Sequence, residues 1–371
     1  MAQSSLKQSF DAFRTAEDID TSALVAGAVG AVLLLTALAS FVLRLGLEVP
    51  SILGFLVVLG YGWYAHQGLA AKSMTFLMTV STVLILGMIT VFLVLESLHA
   101  FRLMGPEILI GMSEPVTLFG VTVLPGLGGV FWQPSSATYS LVPAMWGTFV
   151  TTLIATAVAA PLGIACALFL AEIAPNWVRE IVKPGIEILA GIPSIVYGFI
   201  GFTILNTYVF QNFRTPTQGS FFLVGGVIGL MALPTVVSVA EDSLDTVPDS
   251  MKDGALALGS TDWQTMTSIT LPAAFSGVSA AVLLGVGRAI GETMAATVIL
   301  GNTVGLPQPL YDVFGNNVTL TTLIASQYGD AGETQLSALF AAGVVLFVTV
   351  LFLSLTSLKI EAELKETLGG E

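Results

Sequence analysis

Long apolar runs separated by short polar stretches set the pattern of this chain. Residues 22–43, 74–95, 145–171, 184–206, 220–240, 273–300 and 335–358 are each long and apolar enough to cross a bilayer, which takes about 20 predominantly apolar residues in a helix. Residues 50–65 form a shorter run between Pro50 and the aromatic cluster of Tyr61, Trp63 and Tyr64, a length that fits a short span or a re-entrant hairpin. Counted as a span, it brings the crossings to eight. Pro161 should bend the run that holds it without ending it, provided neighbours satisfy the freed carbonyl. Gly191-Ile192-Pro193 should interrupt 184–206.

The polar stretches are read as connectors. Residues 96–143, rich in Gly and Pro, carry Trp132, Pro134 and Tyr139 near their end and should lie outside the membrane, folded partly against the bundle. A short charged turn is expected at 172–183, a polar loop at 207–219 and a second long loop at 301–334. The first 21 residues are polar, with Asp11, Glu17, Asp18 and Asp20 ahead of the first apolar run. They lack the form of a secretory signal, because the positive flank is thin and the run behind it too long. The fold class is an all-α integral membrane protein.

Composition supports that class and removes others. A chain of 371 residues that is 54% hydrophobic and 10% charged is no soluble globule. The single Cys166 sits in an apolar run, which leaves no disulfide framework and a buried, inert thiol. His66 and His99 stand alone near span ends, without the spacing of metal ligands. Gly126-Leu127-Gly128-Gly129 lacks the lysine that completes a phosphate-binding loop, so this chain is not an ATPase. The net charge of −13 suits either a salt-rich cytoplasm or a basic partner, and does not identify a substrate.

One polar insertion between two very apolar segments organises the rest, at 241–272. Asp253-Gly254-Ala255 is followed by Gly259 and then by Ile269, Leu271 and Pro272. This spacing resembles the coupling elbow of permease subunits in ATP-binding-cassette importers: a short helix, a glycine turn, and a second short helix ending at the proline. Asp-Gly stands where the family pattern has Glu-Ala, which should weaken the first helix, since Gly costs about 1 kcal/mol against Ala there. Glu241 and Asp242 read as solvated charge on this elbow. The resemblance continues in Gly191, Pro193 and Ser194 with Tyr197 and Gly198, and in Gly287-Arg288-Ala289-Ile290-Gly291-Glu292-Thr293-Met294, which are similar to the C-type permease of the phosphate-specific importer. It covers about residue 74 to the C-terminus.

The resemblance implies a type I importer permease core over 74–358, preceded by two accessory membrane helices within 22–73 and flanked by tails at 1–21 and 359–371. It implies a second homologous permease, two ATP-binding-cassette subunits that hold the ATP and magnesium, and an extracytoplasmic phosphate-binding protein. No cofactor belongs to this chain, and its surroundings are the lipid bilayer, with no nucleic acid. The elbow alone leaves sulfate or molybdate open as substrates. A gradient-driven transporter or anion channel is the rival class. With the elbow cytoplasmic, the inner segments hold Lys7, Arg14, Lys72, Arg179, Lys183, Lys252, Lys359 and Lys365, against Arg44, Arg102 and Arg214 outside. That asymmetry obeys the positive-inside rule and puts both termini in the cytoplasm.

Arg288 and Glu292 are the only charges in 273–300, spaced one helical turn apart. An intramembrane Arg needs a partner or a wet cavity, since insertion costs about 2.5–3.5 kcal/mol. Glu292 is the expected partner, and the pair is either a structural ion pair or, with Thr293, a gate beside the path of an oxyanion that the guanidinium fork can bind. Gly225 with Gly229, and Gly287 with Gly291, are four-residue pairs that permit close helix approach, in ordinary packing or against a second subunit. Asn317-Val318-Thr319 has the pattern of a glycan acceptor in an external loop.

Overall fold

The computed structural model describes residues 21–118, 121–213 and 215–367. The expected tail at 1–20, with Lys7 and Arg14, and Arg214 lie outside the described residues. The chain divides into two compact units, Met1–Ile89 and Thr90–Glu371.

In the first unit, helix α1 (Thr21–Leu43) and helix α2 (Glu48–Ala65) are joined by a tight turn with Arg44 and Gly46 at positive φ. Ser40 satisfies the turn. Its Oγ accepts the Leu47 N–H at 2.7 Å and donates to Glu48 Oε2 at 2.9 Å. Helix α2 runs 18 residues without a break, the form of a span and not of a re-entrant hairpin. Helix α3 (Gln67–Met104) is longer at both ends than the run at 74–95. No Pro or Gly stops it until Gly105 (φ 58°), so the connector begins there and not at residue 96.

In the second unit that connector folds. A short helix α4 (Glu107–Ile110) is followed by two antiparallel strand pairs, β1 (Val116–Leu118) with β2 (Val121–Leu124) and β3 (Trp132–Gln133) with β4 (Thr138–Tyr139). Trp132 meets Tyr139 edge-on at 4.8 Å between ring centroids. Tyr139, 2% exposed, joins a buried cluster with Ile108, Leu141, Val318, Leu323 and Ala338. The connector is thus held against the bundle by burial, as its aromatics suggest.

Helix α5 (Val142–Leu168) passes through Pro161 unbroken and ends in a π-turn, Phe169–Ile173. The expected turn at 172–183 is only its first few residues. Pro175 caps helix α6 (Asn176–Gly191), which takes up the rest. Helix α7 (Ser194–Ile200) follows an 89° bend at Ile192-Pro193 and continues through a π-turn, Gly201–Asn206, into α8 (Thr207–Phe213). The loop expected at 207–219 is therefore helical for its first half: Thr203 and Thr207 hydroxyls fold back on carbonyls one turn earlier, and nothing breaks the backbone before Phe213.

Helix α9 (Phe221–Asp245), N-capped by Ser220, is the axis of the bundle and lies between α5 and α13 (Phe275–Gly291). Between α9 and α13 come the elbow helices α10 (Asp249–Ala257), α11 (Asp262–Thr265) and α12 (Leu271–Ala273), with a π-turn at Met266–Thr270. A short helix α14 (Met294–Ile299) follows α13. The loop expected at 301–334 contains helix α15 (Leu320–Gln327), because Thr319 and Thr322 form a capping box and Leu320 and Leu323 bury one face. Helix α16 (Glu333–Thr367) packs on α13 and α15.

Among the described residues, five helices are long and apolar enough to cross a membrane, and two bent pairs bring the number to seven. Helix α1 is apolar over the shorter stretch Val25–Ser40 and stands outside that number. Large apolar side chains such as Phe149, Leu153 and Phe352 face outward, as lipid requires.

The four-residue glycine pairs part company. A Cβ on Gly225 would lie 2.6 Å from Ile154 Cβ, and one on Gly229 would lie 2.8 Å from Val158 Cβ. This pair seats α9 on α5 within the chain and is not the joint to a second subunit. Gly287 and Gly291 have open space where a Cβ would stand. Gly229→Ala should lower the melting temperature of the detergent-solubilised protein, by an overpacking cost of about 1–3 kcal/mol. Gly226→Ala, on the open face of the same helix, should leave it nearly unchanged.

Candidate functional site

The expected Arg288–Glu292 pair does not form. Helix α13 ends at Gly291, and Glu292 is extended (φ −69°, ψ 121°), so the two residues do not share a helical face. The expectation assumed one helix through 292, and the backbone breaks there instead. Arg288 Nη1 donates to Thr235 Oγ1 at 3.0 Å, across to α9. Glu292 turns to the next helix, its Oε1 accepting the Ala295 N–H at 3.1 Å in the first turn of α14. The Thr321 hydroxyl of α15 donates to the Glu292 carbonyl at 2.9 Å, and the Thr293 hydroxyl donates to the Gly291 carbonyl at 3.2 Å. The break is thus stitched by side chains, the condition for irregular backbone at membrane depth.

A second break lies beside it. The chain is interrupted at Ile192-Pro193, and the Tyr197 hydroxyl reaches back over the interruption to the Leu189 carbonyl at 3.0 Å. Helices α7 and α14 then run in contact, so closely that a Cβ on Gly198 would stand 2.8 Å from Ala295 Cα. Three residues before the break at Gly291, Arg288 is half-buried near the end of α13, its guanidinium held by the Thr235 hydroxyl. Glu292 and Thr293 lie in the break itself, half-buried, while Gly191 and Gly291 are exposed at the two helix ends. Ser194 opens α7.

Sequence reasoning missed Thr235 as the partner of Arg288, and Tyr197 as the closure of the first break. Thr235 carried a faint signal, a hydroxyl next to Pro234 inside an apolar helix, where proline frees a carbonyl and the helix is least regular. Chemically, the arrangement offers a positioned cation with donors beyond the one given to Thr235, suited to an oxyanion.

The elbow has the expected order. Helix α10 forms through Asp253, Gly254 and Ala255 despite the glycine, with Asp249 in its first turn favouring the helix dipole. Gly259 makes the turn at φ 92°, a conformation few other residues adopt. Thr261 and Gln264 then form a capping box that starts the second helical segment. That segment carries half-buried Ile269 and Leu271 and ends at Ala273, just past Pro272, with a 74° bend into α13. Met251, Leu256, Leu258 and Trp263 stand exposed on it, Leu258 at 91%. Glu241 is not solvated charge on this elbow: it lies in α9, 3% exposed, and pairs with Lys183 at 3.3 Å. Asp242, one position on, is exposed.

Comparison with known proteins agrees with this architecture. The family described as binding-protein-dependent transport system inner membrane component matches residues 159–360. The probable ABC transporter permease protein YqgH of Bacillus subtilis is 39% identical over 65% of this chain and 82% of its own length. The phosphate transport system permease protein PstC of Haemophilus influenzae is 32% identical over 71% of this chain and 88% of its own. Among solved structures, a bacterial alginate ABC transporter in complex with a pentasaccharide-bound periplasmic protein shares the fold, with a TM-score of 0.51 at 14% identity over 80% of this chain and 95% of that one. The chain belongs to the inner membrane components of binding-protein-dependent transport systems, a multi-pass membrane permease and not an enzyme.

Proposed function

We propose that this chain is the C-type permease subunit of an importer that moves inorganic phosphate by alternating access, driven by ATP hydrolysed on separate subunits. The observation that carries the substrate is the half-buried Arg288 just before the break at Gly291, its guanidinium held by the Thr235 hydroxyl. The printed names of several relatives, phosphate transport permeases among them, favour phosphate over sulfate or molybdate. Family membership removes a gradient-driven transporter or channel from contention.

The parts then have roles. Arg288 attracts the anion and offers it two parallel donors. Glu292 and Thr293 hold the break open at the path, and the carboxylate opposes irreversible capture. The open faces of Gly287 and Gly291 look to a second, homologous permease across the path. The elbow, Asp253 to Pro272, presents Leu258 and Trp263 to one of two ATP-binding-cassette subunits, whose closure pushes on it. An extracytoplasmic phosphate-binding protein delivers the anion to the opposite side. Residues 22–73 are accessory membrane helices, 74–358 the permease domain, and the tails at 1–21 and 359–371 lie in the cytoplasm, as the placement of Lys and Arg favours.

Three tests follow from these roles. Membranes carrying the complete complex should show ATP-dependent phosphate uptake that excess sulfate does not compete away; equal competition by sulfate would broaden the substrate to oxyanions generally. Arg288→Gln should lower uptake by about 10- to 100-fold, the loss of a charge-assisted contact of about 1.5–3 kcal/mol. Its melting temperature should hold, since Thr235 is half-buried and its freed hydroxyl can turn back to a carbonyl of its own helix; undiminished uptake in that variant would reduce Arg288 to a packing role. Gly259→Val has open space around it but must adopt φ 92°, a strain of about 1–3 kcal/mol. Uptake should collapse while membrane insertion is normal, and normal uptake would remove the elbow from the coupling path.

A further inference from the structure

The two halves of the elbow are anchored in different ways. The second half is held by burial of Thr265, Met266 and Thr270. The first half, α10, buries none of its residues. Its tie to the bundle is polar: Lys252 Nζ lies 2.8 Å from Glu172 Oε1, with side chains only 16% and 13% exposed. Glu172 sits in the π-turn that ends α5. A solvent-exposed pair would contribute little, but a pair this shielded is hard to break, because either partner left alone keeps an uncompensated charge out of water.

The same corner is tied to two more helices. The Arg179 guanidinium of α6 donates to the Ala171 carbonyl in that π-turn. One turn further along α6, Lys183 pairs with Glu241, whose side chain is 4% exposed, in the last turns of α9 before the elbow. Residues from α5, α6, α9 and α10 therefore form one polar corner, in which each carboxylate answers a cation on a different helix.

We infer that Lys252–Glu172, backed by Lys183–Glu241, is a brace that ties the free half of the elbow to the α5–α6 corner, so that a push on α10 moves α5, α6 and α9 together. This rests on the proposed docking of the elbow on an ATPase subunit. Lys252 and Glu172 are positioning residues. They touch no substrate, and act by making the elbow a lever and not a loose flap. The stroke then reaches α6, whose far end is the break at Ile192-Pro193.

The test uses the complete complex in proteoliposomes, with ATP hydrolysis and phosphate uptake measured together, and with hydrogen exchange followed over 249–257. Lys252→Gln and Glu172→Gln should hydrolyse ATP within about twofold of the parent while moving about tenfold less phosphate per ATP, the mark of a lost buried tie. Exchange over 249–257 should quicken by a similar factor. The swap Lys252→Glu with Glu172→Lys restores the pair, and should return phosphate per ATP to at least half the parental value, about one doubling below it at most. An unchanged ratio and unchanged exchange in the single variants would overturn the brace. If the singles fail to assemble, the swap decides: assembly regained with coupling supports it, and assembly regained without coupling overturns it. A parent that moves no phosphate while exchange still responds to Lys252→Gln would retire the substrate and leave the brace standing.

Discussion

Every backbone polar group inside hydrocarbon must find its partner within the protein, and that requirement shapes this permease more than any single contact. It makes the spans helical, and it confines irregular backbone to places where side chains can complete the hydrogen bonds. Among the described residues, Ile192-Pro193 and Glu292-Thr293 are such places. Each is closed by hydroxyls: Tyr197 over the first, Thr293 and Thr321 over the second. Because α7 and α14 lie against each other, the helices that follow the two irregularities are packed together, and Arg288 stands three residues before the second break.

Much of this was legible from residue order. Apolar run lengths located the spans, and the glycine-to-proline spacing located the elbow, since both depend on local requirements that a sequence states directly. What misled was continuity. Reading 273–300 as one helix put Glu292 a turn above Arg288, whereas the break gives Glu292 to the Ala295 amide and Arg288 to Thr235. Helical periodicity holds only while the helix does. Thr235, Tyr197 and the Lys252–Glu172 tie join residues from separate helices, and no local pattern encodes such partners. Glu241 failed for the same reason, its partner Lys183 lying 58 positions away (241 − 183) in the sequence.

The charges divide into two layers of different character. Arg288 is half-buried and held by the Thr235 hydroxyl, a guanidinium with donors to spare. At the elbow end, Glu172, Glu241, Lys183 and Lys252 are matched one to one. An unmatched cation is reactive toward anions, while matched pairs are mechanically stiff and electrostatically quiet. The chain keeps the first for the path and the second for the joint.

The helices also differ widely in length, and this bears on the membrane itself. Helices α3 and α16, with 38 and 35 residues, are about 57 and 52 Å long and overrun a hydrocarbon layer of about 30 Å by a wide margin. Such rods can tilt, or slide along the bilayer normal, with little change in what the lipid tails touch. Helix α2, with 18 residues, is about 27 Å long and has no such slack. Among the five unbroken spans it is the shortest, so among them it sets the bilayer thickness the permease tolerates. Thick, sterol-like membranes would pinch around Glu48 and Ala65 well before they troubled the long helices.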